Sequence, residues 1–330
     1  MLVSAEDLER HLDLVRARAV GAREGVFGPA SVTWRVDREA AVFLGAGRAL
    51  ALQLAHPWVA AAIADQSSVF ADPLGRFHRT FQVMFTMVFG TRDQALAAAR
   101  RLYQRHTAVV GVLPTAAGPF AAGSNYYAND VAALRWVHAT LLETALMAHD
   151  LVLPPLSHEE RESYWSEARL YAALFGIPPD ILAPDWASFV AYSEAMMESD
   201  VLTVIPAARD IVQQIFSGVA TTIRPPLWYR ALTAQMLPAR LRTAFDLPFG
   251  EAERRSAERA LRWMRRAYPL LPGRLRMVGP YQEAVARLQG QDRPPLATRW
   301  LNQVWIGQPS LGRTPDHQAE RGPSERRKRF

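Results

Sequence analysis

Apolar residues in this chain recur every three or four positions, and no long alternating run of Val, Ile and Thr interrupts that rhythm. Such a pattern can pack helix on helix but cannot build a sheet that organises a core. Polar caps agree with it. Ser4, with Glu6 and Asp7 behind it, predicts a helix to about Ala22, and Gly25 to Pro29 reads as a connector. Asp37 to Ala64 reads as helical with a break at Pro57, and Arg76 to Val88 as a helix ending at Gly90. Thr91 to Gln94 caps the next helix, which runs to about Leu113; Pro114 to Gly123 is a loop. Asp130 caps a long helix to about Val152, and Ser157 with Glu160 forms a capping box for one reaching Phe175. Further helices are expected at Trp186–Glu198, Pro206–Phe216, Pro226–Met236, the charged Gly250–Tyr268 and, last, Pro280–Gln289. The expectation is an all-α, single multi-helix domain without internal repeats.

With 330 residues and 49% hydrophobic content, the chain can bury one large core or two ordinary ones. It has no cysteine. That excludes thiolate-ligated haem, iron–sulfur clusters, covalent haem attachment, cysteine nucleophiles and disulfides, and it leaves histidine as the leading protein ligand for any haem. The N-terminus mixes charge with apolar residues and lacks the basic-then-apolar order of a secretion signal. No apolar run is long enough to span a bilayer, so a soluble, cytoplasmic protein without stable membrane insertion is expected. The net charge of +6 is concentrated near the end, ERRKRF, and reads as a solvated tail rather than a nucleic-acid contact. Arginine almost replaces lysine, of which Lys328 is the sole example, so scattered arginines carry little weight individually.

Two clusters stand out. In RFHRTF, Arg76, Arg79 and Thr80 occupy i, i+3 and i+4 and share a helical face that continues through Val83, Met84 and Met87. In RLYQRHTAVVG, His106 lies on an apolar stripe with Leu102, Tyr103, Val109, Val110 and Leu113. A cationic, hydrogen-bonding patch opposite one imidazole across apolar walls suits a haem pocket. The bland readings are a surface ion-pair face for the arginines and a core histidine for His106.

These residues resemble the catalytic domain shared by latex-clearing rubber oxygenases and the MpaB-type oxygenase of mycophenolic acid biosynthesis. In the rubber oxygenases an Arg-x-x-Lys-Thr run lies on the distal side of a b-type haem, and a histidine about one helix later binds the iron. Arg76, Arg79 and Thr80 are similar to that run, with Arg79 in the lysine's place, and His106 in HTAVVG is similar to the axial ligand. LQLAHP (52–57), YYAND (126–130) and WVHATLLE (136–143) are also typical of the family, and the resemblance runs from about Trp34 to about Gln289. Two departures stand against it. Rubber oxygenases carry an Arg-His pair where this chain has Val110 and Gly111, and an upstream acid for which Asp65 is the nearest carboxylate.

The resemblance implies a globin-like helical core around a haem b pocket. It implies an oxygenase that activates O2 at a histidine-ligated iron and acts on a small apolar substrate, isoprenoid or otherwise alkene-bearing. Relatives cleave such double bonds to carbonyl products. His106 would be the metal ligand; Arg79 and Thr80 would orient oxygen; Arg76 would anchor a propionate or position its neighbour. His138 is the rival ligand or a structural, propionate-contacting residue, and Met84 and Trp136 are candidates for lining. His56 is expected at a kink near the pocket wall, and His11, His149, His158 and His317 at the surface or in caps.

Alternatives are a haem-binding sensor or carrier without turnover, and a haem-free helical protein that binds lipid or a partner. A di-iron bundle lacks any Glu-x-x-His pair. FLGAGR (43–48) fails as a dinucleotide fingerprint because no strand precedes it and Leu50 occupies the third small position; close packing is its expected role. The divisions expected are an N-terminal helix and connector at 1–30, the helical catalytic domain at 31–290, and an extension with a disordered basic tail at 291–330.

Overall fold

The caps marked in the sequence start helices where they should. The computed structural model describes residues 1–66, 72–218, 224–291 and 293–312. The Ser4 hydroxyl accepts from Asp7 N to open α1 (Ala5–Arg18), and Ser31 likewise opens α2 (Val32–Asp37). A 3₁₀ turn (Ala40–Gly45) leads into α3 (Ala46–Leu54) and α4 (Pro57–Gln66). Next come α5 (Pro73–Phe89) and α6 (Arg92–Thr107), strands β1 (Val110–Val112) and β2 (Asn125–Tyr127), and the long α7 (Val131–Val152). The Asp130 carboxylate caps α7, accepting from Ala132 N and Ala133 N. There follow α8 (His158–Ala173), α9 (Trp186–Glu198), α10 (Pro206–Ser217), α11 (Leu227–Met236) and α12 (Ala239–Ala244). The last are α13 (Glu251–Ala267), α14 (Gly273–Arg276), α15 (Gly279–Leu288) and α16 (Leu296–Ile306).

The architecture is all-α, with one main apolar cluster running from Leu8 of α1 to Ile306 of α16. At its centre α7 packs against the 3₁₀ turn, α2, α3, α8 and α13. The motifs LQLAHP and WVHATLLE interlock here. The Trp136 indole donates to Leu52 O at 2.9 Å, and the Gln53 amide donates to Thr140 Oγ1 at 3.1 Å. Arg48 is buried at 1% exposure and ties three helices together. It donates to Thr144 Oγ1 (2.6 Å) and Glu143 Oε1 (3.1 Å) of α7 and to Met236 O (2.9 Å) of α11. The FLGAGR glycines serve this packing. A Cβ on Gly45 would lie 2.3 Å from Thr144 Cγ2, and one on Gly47 2.6 Å from Thr233 Oγ1.

The structure departs from the sequence reading in several places. The helix carrying His106 ends at Thr107, not near Leu113. Past it Val110–Val112 pairs antiparallel with Asn125–Tyr127, because β-branched residues favour extended backbone there. Asp37 to Ala64 breaks at Pro57 as expected, between α3 and α4, but opens with a 3₁₀ turn rather than with α-helix. Beyond Gln289, α16 folds onto α5 and α15, while 313–330, including His317 and the basic end, lies outside the described residues.

Arg48→Ala is expected to destabilise the fold by about 3 kcal/mol, since it strands Glu143 beside an apolar interface. A lowered urea midpoint would report it. The double variant Arg48→Met/Glu143→Gln, which removes both charges and keeps the volume, should recover more than half of the loss.

Candidate functional site

Two helices joined by a tight turn carry the candidate residues. Gly90 ends α5 and Thr91 caps α6, so the chain doubles back and the helices pack as an antiparallel hairpin. Arg76 near the start of α5 and His106 at the end of α6 therefore lie at the same end of the hairpin. No hydrogen bond or ion pair joins the two groups.

His106 forms an i, i+3, i+4, i+7 face with Ala99, Leu102 and Tyr103. Across from it stand Asn129 and Leu134 at the start of α7 and Leu174 and Phe175 at the end of α8. The crevice between them has a free volume of about 10 Å³, the room of a single water. Burial against this wall, with a smaller push from Arg105, lowers the His106 pKa to about 4, so the imidazole is neutral at physiological pH. Its ring nitrogens make no hydrogen bond to the described residues. Asn129 is held in place by a 3.0 Å bond from its amide to Val3 O.

The arginine face is more open. Phe77, Phe81 and Phe85 turn the other side of α5 onto Phe43, which itself stacks on Trp305 of α16 at 4.4 Å. That packing leaves Arg79 and Thr80 exposed. Arg79 donates to Asp72 Oδ2 at 3.0 Å, the carboxylate that also caps α5 through Gly75 N. Arg76 is half-buried and has no hydrogen-bond or ion-pair partner among the described residues. Desolvation and the neighbouring Arg79 depress its guanidinium pKa. Met84 on the same helix is half-buried, and Met87 is fully buried.

His138 is a satisfied core residue. It is 1% exposed, its Nε2 lies 2.9 Å from Ala168 O, and it packs among Trp165, Tyr171 and Phe175. Burial pushes its pKa down to about 4. Phe175 links its shell to the His106 wall. His56 is buried beside Trp58 and Phe120, with its pKa likewise lowered to about 4 by burial. His11 and His149 are buried rather than superficial, the latter 3.2 Å from Asp150 Oδ1; His158 is exposed as expected. His11 lies on the buried Leu8–Leu12–Val15 face of α1 and His149 on the buried Leu142–Leu146 face of α7, positions that helical spacing already marks as inward.

The departures after His106 have a structural reason. Gly111 pairs with Tyr126 across the small sheet, and a Cβ at Gly111 would lie 2.2 Å from the Tyr126 hydroxyl oxygen. That hydroxyl donates to Asp65 Oδ2 at 2.8 Å. Any side chain at 111 would therefore break the tie between YYAND and α4.

The sequence reading missed α16, which clamps the arginine-bearing helix. His78 Nε2 lies 3.0 Å from Val304 O, and Gln82 and Gln308 exchange amide hydrogen bonds. The apolar stripe of Trp305 and Ile306 was the available signal. It also missed Asp37, whose pKa burial raises to about 7, with Glu167 adding to the effect.

A family model described as the ER-bound oxygenase mpaB/B′ and rubber oxygenase catalytic domain matches residues 34–267. No curated protein and no solved structure matches the chain.

Acid should destabilise the protein. Folded His56 and His138 titrate near pH 4 whereas the unfolded chain takes up those protons near 6.5. The stability they contribute is complete above pH 6.5 and lost as pH falls toward 4, by roughly 3 kcal/mol each. Asp37 opposes this, because a raised folded pKa favours the fold at low pH and weakens it as pH rises toward 7. Thermal melts between pH 4 and 8 should show Tm falling with acid. Asp37→Asn should raise Tm at pH 8 and make the acid-side fall steeper.

Proposed function

The chain belongs to the mpaB/rubber oxygenase catalytic-domain family, and from that premise we propose that it is a haem b-dependent oxygenase of a small apolar alkene. The observation that carries the proposal is the state of His106. It is neutral, makes no side-chain hydrogen bond to the described residues, and lies on an apolar wall, which leaves a lone pair free for a metal. Among the described residues no three His, Cys, Asp or Glu side chains cluster as ligands. A lone histidine fits an iron whose other ligands come from a macrocycle. When bound, haem would supply the activation of O2 that amino-acid side chains cannot.

The remaining roles follow from what each side chain can do. His106 would hold the iron. Arg76, half-buried with no partner among the described residues, is free to take a propionate. Arg79 and Thr80 are donors that could orient O2, and Arg79 would first have to release Asp72. An arginine in that place keeps its charge in a planar fork and does not give up its proton. His138, committed to Ala168 O, serves as wall rather than ligand. Trp136 is likewise bound to Leu52 O, which leaves Met84 as the better lining residue. Since ligand pockets span roughly 300–1,000 Å³, the macrocycle would have to part α6 from the α7–α8 wall.

A second reading, haem binding without turnover, draws on the Asp65–Tyr126 bond. The Asp65 carboxylate on α4 already accepts the Tyr126 hydroxyl, and Asp72, the other carboxylate upstream of Arg76, is engaged by Arg79, so neither stands free as a base.

Purified protein expressed with a haem precursor should show a Soret band that His106→Ala abolishes or strongly shifts. A band unchanged in that variant would move the ligand elsewhere, with His138→Ala tested next. No band in the unsubstituted protein, even after haem addition, would sink the reading. Given a band, Arg79→Ala should keep it while lowering alkene-dependent O2 uptake by about a hundredfold. A band with no uptake on any alkene would favour the carrier.

A further inference from the structure

The surface segment from α13 to α14 combines features that the proposed oxygenase chemistry does not use. Between Arg259 and Arg276 the chain holds six arginines and no Asp or Glu. Helix α13 buries Ala257 and Leu261 against the body of the protein and turns its cationic side outward. On that outward side Trp263 is 70% exposed, with Arg259, Arg262 and Arg266 within one turn of it. Immediately after the helix the residues Pro269–Leu275 are all exposed, with Leu270 at 82%, Leu275 at 68% and Leu271 at 40%.

This is a built protrusion. Both of its ends are fastened to Glu39, a carboxylate buried at 2% exposure. The Tyr268 hydroxyl donates to Glu39 Oε2 at 3.1 Å, Arg276 Nε pairs with the same oxygen at 2.9 Å, and Met277 bridges the Glu39 backbone. The fold thus holds three leucines and a tryptophan in water on a fixed base. Soluble surfaces seldom expose such a group unless something covers it.

We propose that this face docks the protein peripherally on an anionic phospholipid bilayer. Trp263, Leu270, Leu271 and Leu275 enter the headgroup–acyl boundary, and the surrounding arginines pair with lipid phosphates and carboxylates. Indole side chains suit that boundary, and cationic residues beside an apolar ridge are the mark of interfacial binding. Charge complementarity chooses this occupant. A second copy docked through the same face would set six arginines against six, with only Glu258 beside Arg262 to offset them, because a two-fold interface uses the same patch twice. Nucleic acid would use the arginines but leave the leucines in water. No described helix is long and apolar enough to cross a membrane, so the contact is with the surface alone. The proposal does not depend on haem or on turnover.

The test is flotation of the full-length protein with vesicles of phosphatidylcholine, with and without roughly one-third phosphatidylserine. The protein should float with the anionic vesicles, less so as salt is raised, and hardly at all with phosphatidylcholine alone. Leu270→Ser/Leu275→Ser and Trp263→Ala should each weaken binding at least about tenfold while circular dichroism and Tm stay unchanged, since these side chains are exposed. Arg266→Glu/Arg274→Glu should do the same. The proposal is overturned if the anionic vesicles do not bind the protein, or if the leucine variant binds undiminished while deletion of 313–330 abolishes binding. It is equally overturned if Leu296→Ser/Trp300→Ala on α16 removes binding and the leucine variant does not. A concentration-dependent dimer that the leucine variant dissolves, without vesicle binding, would assign the face to a second copy instead.

Discussion

Arg48 is the residue on which the arrangement of the central helices depends. A guanidinium at 1% exposure must have its donors met, and the partners come from α7 and from the end of α11. Satisfying them sets the register of α3 against α7. The same register places the Leu52 carbonyl under the Trp136 indole and Gln53 against Thr140. The glycines at 45 and 47 make the close approach possible. One buried cation, two small residues and two cross-helix hydrogen bonds therefore determine how the middle of the domain is assembled.

Several motifs that carry the family resemblance act as braces. LQLAHP and WVHATLLE bond to one another, and YYAND closes the α4–β2 contact through Tyr126 and caps α7 through Asp130. These contacts hold α7 as a rigid wall, and α7 supplies Leu134 to the crevice beside His106 and His138 to the packed core behind it. Burial then does the electrostatic work. It keeps both imidazoles neutral well below physiological pH, and only His106 keeps its ring uncommitted. The difference between a potential ligand and a core histidine is the 2.9 Å bond from His138 to Ala168 O.

The outer face follows a different logic. Helix α5 directs Phe77, Phe81 and Phe85 to Phe43, which stacks on Trp305, so Arg79 is left toward water. Helix α13 directs Ala257 and Leu261 inward, so its arginines and Trp263 are left outside. In both, the side that packs is chosen by apolar contact, and the charged side is what remains available for a ligand or a surface.

The sequence by itself determined the helical class, most helix starts, and the family. Caps such as Ser4, Thr91, Asp130 and Ser157 act within one turn, and apolar periodicity is a local property that needs no partner to be read. It also marked Arg76, Arg79, Thr80 and His106 as candidates on two successive helices. Only the tertiary structure decided what surrounds each of them. Whether His138 has a hydrogen-bond partner, why position 111 must be glycine, that α16 clamps His78, and that Glu39 fastens an exposed leucine ridge all depend on residues distant in the chain. Those contacts arise from packing between elements, and packing is set by the shapes that meet rather than by the pattern along any one helix.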